Sequence, residues 1–215
     1  MIKSMMYRYT VLFVFIAYCI RTIIYGDWSE FAGPFRYLTN WALFISTFAL
    51  TRTWIYSTGR TEKRWDGFVA MACVVNLMVV FLYWRLFFAD PMSVTSDGTL
   101  GDWWLEYFLH GVGPLLFCID ALFFHKPFRN WTAAVPWVLG VIGGFIVWIE
   151  LVIQPRVDNP VGEVTSGLPY RFLNNMDFGE RSNFYITNLT VSLIFLMLFI
   201  LLSRFINRFQ HSTTP

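Results

Sequence analysis

Six segments of this chain, near 7–25, 37–56, 67–88, 103–124, 131–153 and 184–206, are almost entirely apolar. A helix crossing the hydrocarbon core of a bilayer needs about 20 such residues. Inside lipid every backbone N–H and C=O must be satisfied within the protein, so segments of this length form α-helices. The expected fold class is therefore all-α: a polytopic membrane protein, a six-transmembrane-helix bundle, forming one domain over 1–215. Composition agrees, because only 14% of residues are charged while 56% are hydrophobic, and soluble domains carry roughly 25% charge. Trp28, Trp54, Trp65, Trp103, Trp104 and Trp131 collect near the span ends, where an aromatic belt belongs.

Orientation follows from the sixteen lysines and arginines. One side takes the N-terminus, the 57–66 and 125–130 loops and the tail, and holds ten of them: Lys3, Arg8, Arg52, Arg60, Lys63, Arg64, Lys126, Arg129, Arg204 and Arg208. Basic residues stay inside, so both termini are expected in the cytoplasm. Residues 10–20 could pass for the core of a signal peptide, but Arg21 and Tyr25 follow with no small-residue cleavage site, so this segment reads as a retained span. A net charge of +2 gives no reason to expect a nucleic-acid partner. Cys19, Cys73 and Cys118 all lie in apolar runs at spacings that match no metal motif, so neither a metal nor a cofactor is expected.

Ionisable groups inside a span are functional candidates by default. His110 falls about seven residues into the fourth span, with Glu106 one turn before it and Pro114 one turn after. Glu106 shares a helix face with His110 and is placed to fix one ring nitrogen. Pro114 has no N–H, so the His110 carbonyl loses its helical donor and a kink is expected there. Thr39 opens the second span in FRYLTNWALF, followed by Asn40; on residue type alone it is a threonine back-bonded to its own helix. Arg85, Glu150, Tyr185 and Asn188 lie towards the same outer side and are expected to join His110 around a polar cavity, with snorkelling an equal reading for Arg85. Asp120 lies too far along the helix for direct contact with His110, and Asn76 is expected to bond a neighbouring helix. Gly140 and Gly144 form a GxxxG, expected to pack closely against another helix of the chain. The 154–183 loop lacks periodicity, and loops of that length often serve as lids.

Three motifs occur in order: FRYLTNWALF, HGVGPLLFCID and GLPYRFLNNMDFG. Together they resemble the family of androgen-induced gene one and the androgen-dependent regulator of tissue factor pathway inhibitor, and the His-x-x-x-Pro spacing resembles its bacterial branch. The resemblance implies a multi-pass hydrolase of fatty acid esters of hydroxy fatty acids. It implies a threonine nucleophile at Thr39 and an essential histidine at His110. Asn174 stands where the bacterial branch often carries aspartate. The expected partner is a lipid substrate drawn from the bilayer, and the expected location is a bacterial inner membrane, or endomembranes in a eukaryote. Asn40, Tyr170 and Asn188 are candidate oxyanion donors, with Glu106 and Glu150 as supporting acids. A hydroxyl near the interface and a deeper imidazole meet only if span two begins near Phe31 or if AGPF dips into the membrane. The competing readings are a transporter or channel for small solutes or ions, and a lipid-binding protein without catalysis. A b-type haem protein needs paired axial histidines, and His125 and His211 lie in a loop and a tail.

Overall fold

The computed structural model describes residues 2–95 and 97–212. Six long helical segments dominate them: α1 (Ile2–Tyr25), α2 (Leu38–Ser57), α3 (Asp66–Ala89), α4 (Trp103–His125), α5 (Pro127–Arg156) and α6 (Phe178–Ser212). In length and composition α1, α3, α4, α5 and α6 are each capable of crossing a membrane. The protein is thus an all-helical, multi-pass integral membrane protein. The helix α2 is twenty residues long but carries Asn40, Ser46, Thr47, Thr51, Arg52 and Thr53, and it holds no stretch as apolar as those of the other five.

The centre of the bundle is α3, which packs against α2, α4, α5 and α6. Met71, Ala72, Cys73, Val74 and Val75 are five consecutive residues with no exposed surface. A helix buried on every side reads as apolar on every side, and α3 does. Lipid tails are as apolar as leucine, so packing and interhelical hydrogen bonds hold such a bundle together. Asn76 provides one, donating to Ser46 Oγ on α2 at 2.6 Å and to its own Ala72 carbonyl at 2.8 Å. Near the chain's start, Tyr7 donates to the Leu116 carbonyl and Arg8 pairs with Asp120 at 2.6 Å, fastening α1 to α4.

Two expectations change. Gly140 and Gly144 lie on the outward side of α5, and a Cβ built on either would touch no other atom within 4 Å. They do not mediate packing inside the chain. The 154–183 segment is a packed roof instead of a free loop. Leu168 and Leu173 within it are fully buried with Phe145 and Ile149 of α5. Asn174 explains why: its Oδ1 accepts from the Leu168 N–H at 3.2 Å and its Nδ2 donates to the Leu168 carbonyl at 2.9 Å. Aspartate has no N–H and could not make the second bond.

Candidate active site

The chain enters α2 through a single tight turn, Gly33–Arg36, preceded by Ala32 in the left-handed region. Gly33 itself has φ +47°, and a Cβ there would run into the Trp28 ring. Three side chains fasten this turn. Asn40 donates to the Pro34 carbonyl at 2.8 Å, and the indoles of Trp41 and Trp148 both donate to the Phe35 carbonyl at 3.0 Å. Helix α2 starts at Leu38, so it does not begin near Phe31. The turn over residues 33–36 delivers Thr39 to the first turn of the helix.

Across from it, α4 is not a regular helix. Residues Phe108–Val112 form a π-helical turn, with His110 at φ −109° and ψ 19°. Pro114 supplies the cause, since it cannot donate to His110 and its ring crowds the preceding turn. A π turn absorbs the extra residue. Gly113 makes it possible, because a Cβ there would stand 2.9 Å from the Phe108 carbonyl oxygen. The orphaned His110 carbonyl is not left bare: Trp84 Nε1 on α3 donates to it at 2.7 Å.

These two irregularities bring the candidates together. Thr39 Oγ1 lies 3.2 Å from His110 Nε2. The other ring nitrogen, Nδ1, faces Glu106, 3.0 Å from Oε2 of the carboxylate and 3.2 Å from the backbone carbonyl. Both oxygens are acceptors, so Nδ1 carries the hydrogen and Nε2 presents its lone pair to the threonine hydroxyl. The imidazole is 6% exposed and lies flat on the Tyr83 ring, 3.5 Å between centroids and 5° from parallel. Thr39 is not back-bonded in its own helix, whereas Thr47 and Thr51 are, at 2.8 Å to the Leu43 and Thr47 carbonyls.

Thr39, Glu106 and His110 line a cavity of about 930 Å³. Its inner wall is apolar, with Met78, Val79, Ile142, Phe145 and Ile149, and its mouth is polar, with Arg21, Asp27, Glu30, Arg36 and Arg171. Tyr170 comes from the roof; its hydroxyl accepts from the Leu38 N–H at 3.2 Å and retains its own hydrogen. Burial pushes the Tyr170 phenol above its ordinary value, so it stays a donor. Asn40 and Asn188 also line the cavity, with one Asn40 N–H committed to Pro34. Asn188 donates to the Phe184 carbonyl at 2.8 Å, while its Oδ1 is buried without a partner among the described residues.

Other expected members lie elsewhere. Glu150 is not on the cavity wall; it pairs with Arg181 at 2.8 Å and accepts from Tyr185 at 2.6 Å, and Tyr185 is the residue that reaches the cavity. Arg85 is exposed, over the Phe81 ring at 5.8 Å, and takes no part. Asp120 is occupied by Arg8. Tyr83 and Trp84 were not readable as site residues, because within an apolar α3 an aromatic residue is ordinary core. The one available signal was the orphan carbonyl, which demands a donor without naming it.

A helical membrane bundle whose cavity holds a hydroxyl, an imidazole and a carboxylate in sequence has the form of an acyl-transfer site. The matching family model is that of the FAR-17a/AIG1-like protein, over residues 3–208. The chain belongs to this family, which is consistent with a lipid hydrolase. No curated protein and no solved structure matches the chain.

Proposed function

We propose that this protein is an intramembrane lipid-ester hydrolase with Thr39 as nucleophile and His110 as base, acting on fatty acid esters of hydroxy fatty acids or similar acyl lipids. The observation that carries the reading is the 3.2 Å contact between Thr39 Oγ1 and His110 Nε2 inside the cavity. A threonine hydroxyl is a weak nucleophile until a base takes its proton, and this distance is within reach of direct transfer. In the first step the hydroxyl proton moves to Nε2 while Oγ1 bonds to the ester carbonyl carbon. The tetrahedral intermediate collapses, the alcohol leaves with the proton from Nε2, and the acyl group stays on Thr39. Water then gives a proton to Nε2, attacks the acyl-threonine and releases the fatty acid, returning the proton to Oγ1. Glu106 holds the ring in its productive tautomer and stabilises the imidazolium.

The developing oxyanion is served by donors already fixed in place. Thr39 sits in the first turn of α2, where the helix dipole is positive, while the N–H groups of Leu38 and Asn40 are already bonded, to the Tyr170 hydroxyl and the Tyr37 carbonyl. The Tyr170 hydroxyl is the side-chain donor that the roof brings to the cavity, with Asn40 and Asn188 contributing N–H groups from the wall. An amphipathic acyl lipid suits a cavity with an apolar floor and a charged mouth. With α2 counted as a sixth span, the basic loops favour cytoplasmic termini, which puts the cavity mouth in the outer leaflet. The His110-to-Pro114 spacing favours a bacterial inner membrane. A transport path is disfavoured by the pairing of Asp120 with Arg8 and of Glu150 with Arg181, since both carboxylates are held by arginines instead of lining a route.

The test is turnover of fluorogenic acyl esters by purified protein in detergent. Thr39→Ala and His110→Ala are each expected to reduce the rate by at least about a thousandfold, and a fluorophosphonate probe should label Thr39 in the wild type and not in Thr39→Ala. Unchanged turnover in both variants would remove the hydrolase reading.

A further inference from the structure

Three arginines are buried: Arg8, Arg36 and Arg181, each no more than 8% exposed. Two are neutralised, Arg8 by Asp120 and Arg181 by Glu150. Among the described residues Arg36 has no carboxylate within ion-pair distance. Its Nη2 donates to the Asn159 carbonyl at 3.1 Å and its Cζ stands 5.8 Å from the centre of the Tyr37 ring. Its Nε is buried with no hydrogen-bond partner among the described residues. Asp27, at the same mouth, is held below the usual carboxylate range chiefly by hydrogen bonds from Ser29, with Arg36 contributing least. A buried cation without a counter-ion is costly and persists where something else supplies the charge.

Arg36 lines the cavity that contains Thr39 and His110. It ends the fixed turn that leads into α2, and three peptide links hold its Cα within about 11 Å of that of Thr39. We infer that Arg36 is the anchor for an anionic group on the substrate, a carboxylate or a phosphate carried by the same amphiphile as the scissile ester. The guanidinium fork matches the paired oxygens of either group. The remaining Nη hydrogens supply the donors, while the Asn159 carbonyl and Tyr37 ring hold the fork in place. The substrate thereby completes the ion pair that the protein omits, so the site favours acyl lipids with their own negative charge over neutral esters. This inference rests on the hydrolase reading for the identity of the ester, but not for the anion subsite itself.

Two measurements separate the claims. In Thr39→Ala protein, which removes the proposed nucleophile, affinity is measured in neutral maltoside micelles for a long-chain monoester ending in a free carboxylate. Its methyl ester and an analogue ending in phosphate are compared with it. At least one of the anionic ligands should bind about tenfold more tightly than the methyl ester. The gap should close when Arg36→Gln is added, and part of it should return with Arg36→Lys. Arg36→Lys and the elution profile of each variant guard against a folding defect. With Thr39 intact, the kcat/KM preference for the anionic over the neutral ester should fall about tenfold in Arg36→Gln, through KM. A charge preference that survives Arg36→Gln, or no preference in the parent, overturns the subsite. Preference and Arg36 dependence without turnover would sustain the subsite and defeat the hydrolase; turnover without preference would do the reverse. Whichever of carboxylate and phosphate shows the larger Arg36-dependent gap is the group that the site takes.

Discussion

A glutamate beside a histidine does two separable jobs, and Glu106 is placed for both. Its oxygens fix the hydrogen on Nδ1, which leaves Nε2 free for Thr39. In the proposed mechanism its negative charge also stabilises the ring once it has accepted a proton. Glutamine keeps an acceptor oxygen and loses the charge, so Glu106→Gln should lower kcat about a hundredfold with little change in KM, within the usual range for acid–base assistance. Stopped-time assays on a fluorogenic ester will read this, and an unchanged kcat would leave Glu106 as a structural neighbour only. His110, Glu106 and Thr39 were all legible in the sequence, the first two because ionisable groups in an apolar run stand out. Thr39 became a candidate through its motif, since a threonine near a helix start is unremarkable by itself. The ring under the imidazole was not legible. Tyr83 sits in one of the most apolar stretches of the chain, and nothing in its spacing marks it as the residue on which His110 stacks.

At the scale of helices, the site depends on α4 being irregular. Pro114 forecast the kink, but a proline states only which bond is missing. The compensation comes from a different helix, through Trp84 Nε1 and the His110 carbonyl. Trp84→Phe should therefore cost about 1–2 kcal/mol, read as a lower temperature at which the monodisperse peak is lost on heating in detergent. Pro114→Ala restores an N–H at the position that the carbonyl lacks. The double variant Trp84→Phe/Pro114→Ala should recover at least half of the loss, giving a coupling that independent sites would not show. Additive losses would mean that the indole bond and the proline are unrelated. The same limit explains Gly140 and Gly144. Their spacing is a packing motif, and sequence says nothing about which side of α5 faces the bundle. The start of α2 was equally hidden, because it is set by a turn that α2 and α5 clamp together through Trp41 and Trp148.

Across the whole molecule, the positions of the long apolar helices were legible because apolar length is a one-dimensional property, whereas charge pairing is not. The sequence places Arg8 among the inner basic residues and Asp120 too far along its helix to reach His110, and pairs neither with the other; in the fold each is the other's partner, with side chains 8% and 2% exposed. A buried ion pair contributes little net stability, yet leaving one half of it alone is expensive, about 3–5 kcal/mol. Arg8→Met should therefore melt far below the wild type, while Arg8→Met/Asp120→Leu should recover most of that loss because no charge is left behind. Neither residue lines the cavity, so the double variant should hydrolyse esters at close to the wild-type rate once folded. Solute flux in proteoliposomes that depends on Asp120 would contradict this, because a carboxylate serving a transport path must release its arginine. If instead the double variant is as unstable as Arg8→Met, the pair is worth more than its replacement by packing, and α1 is held to α4 by electrostatics that lipid-depth burial has strengthened.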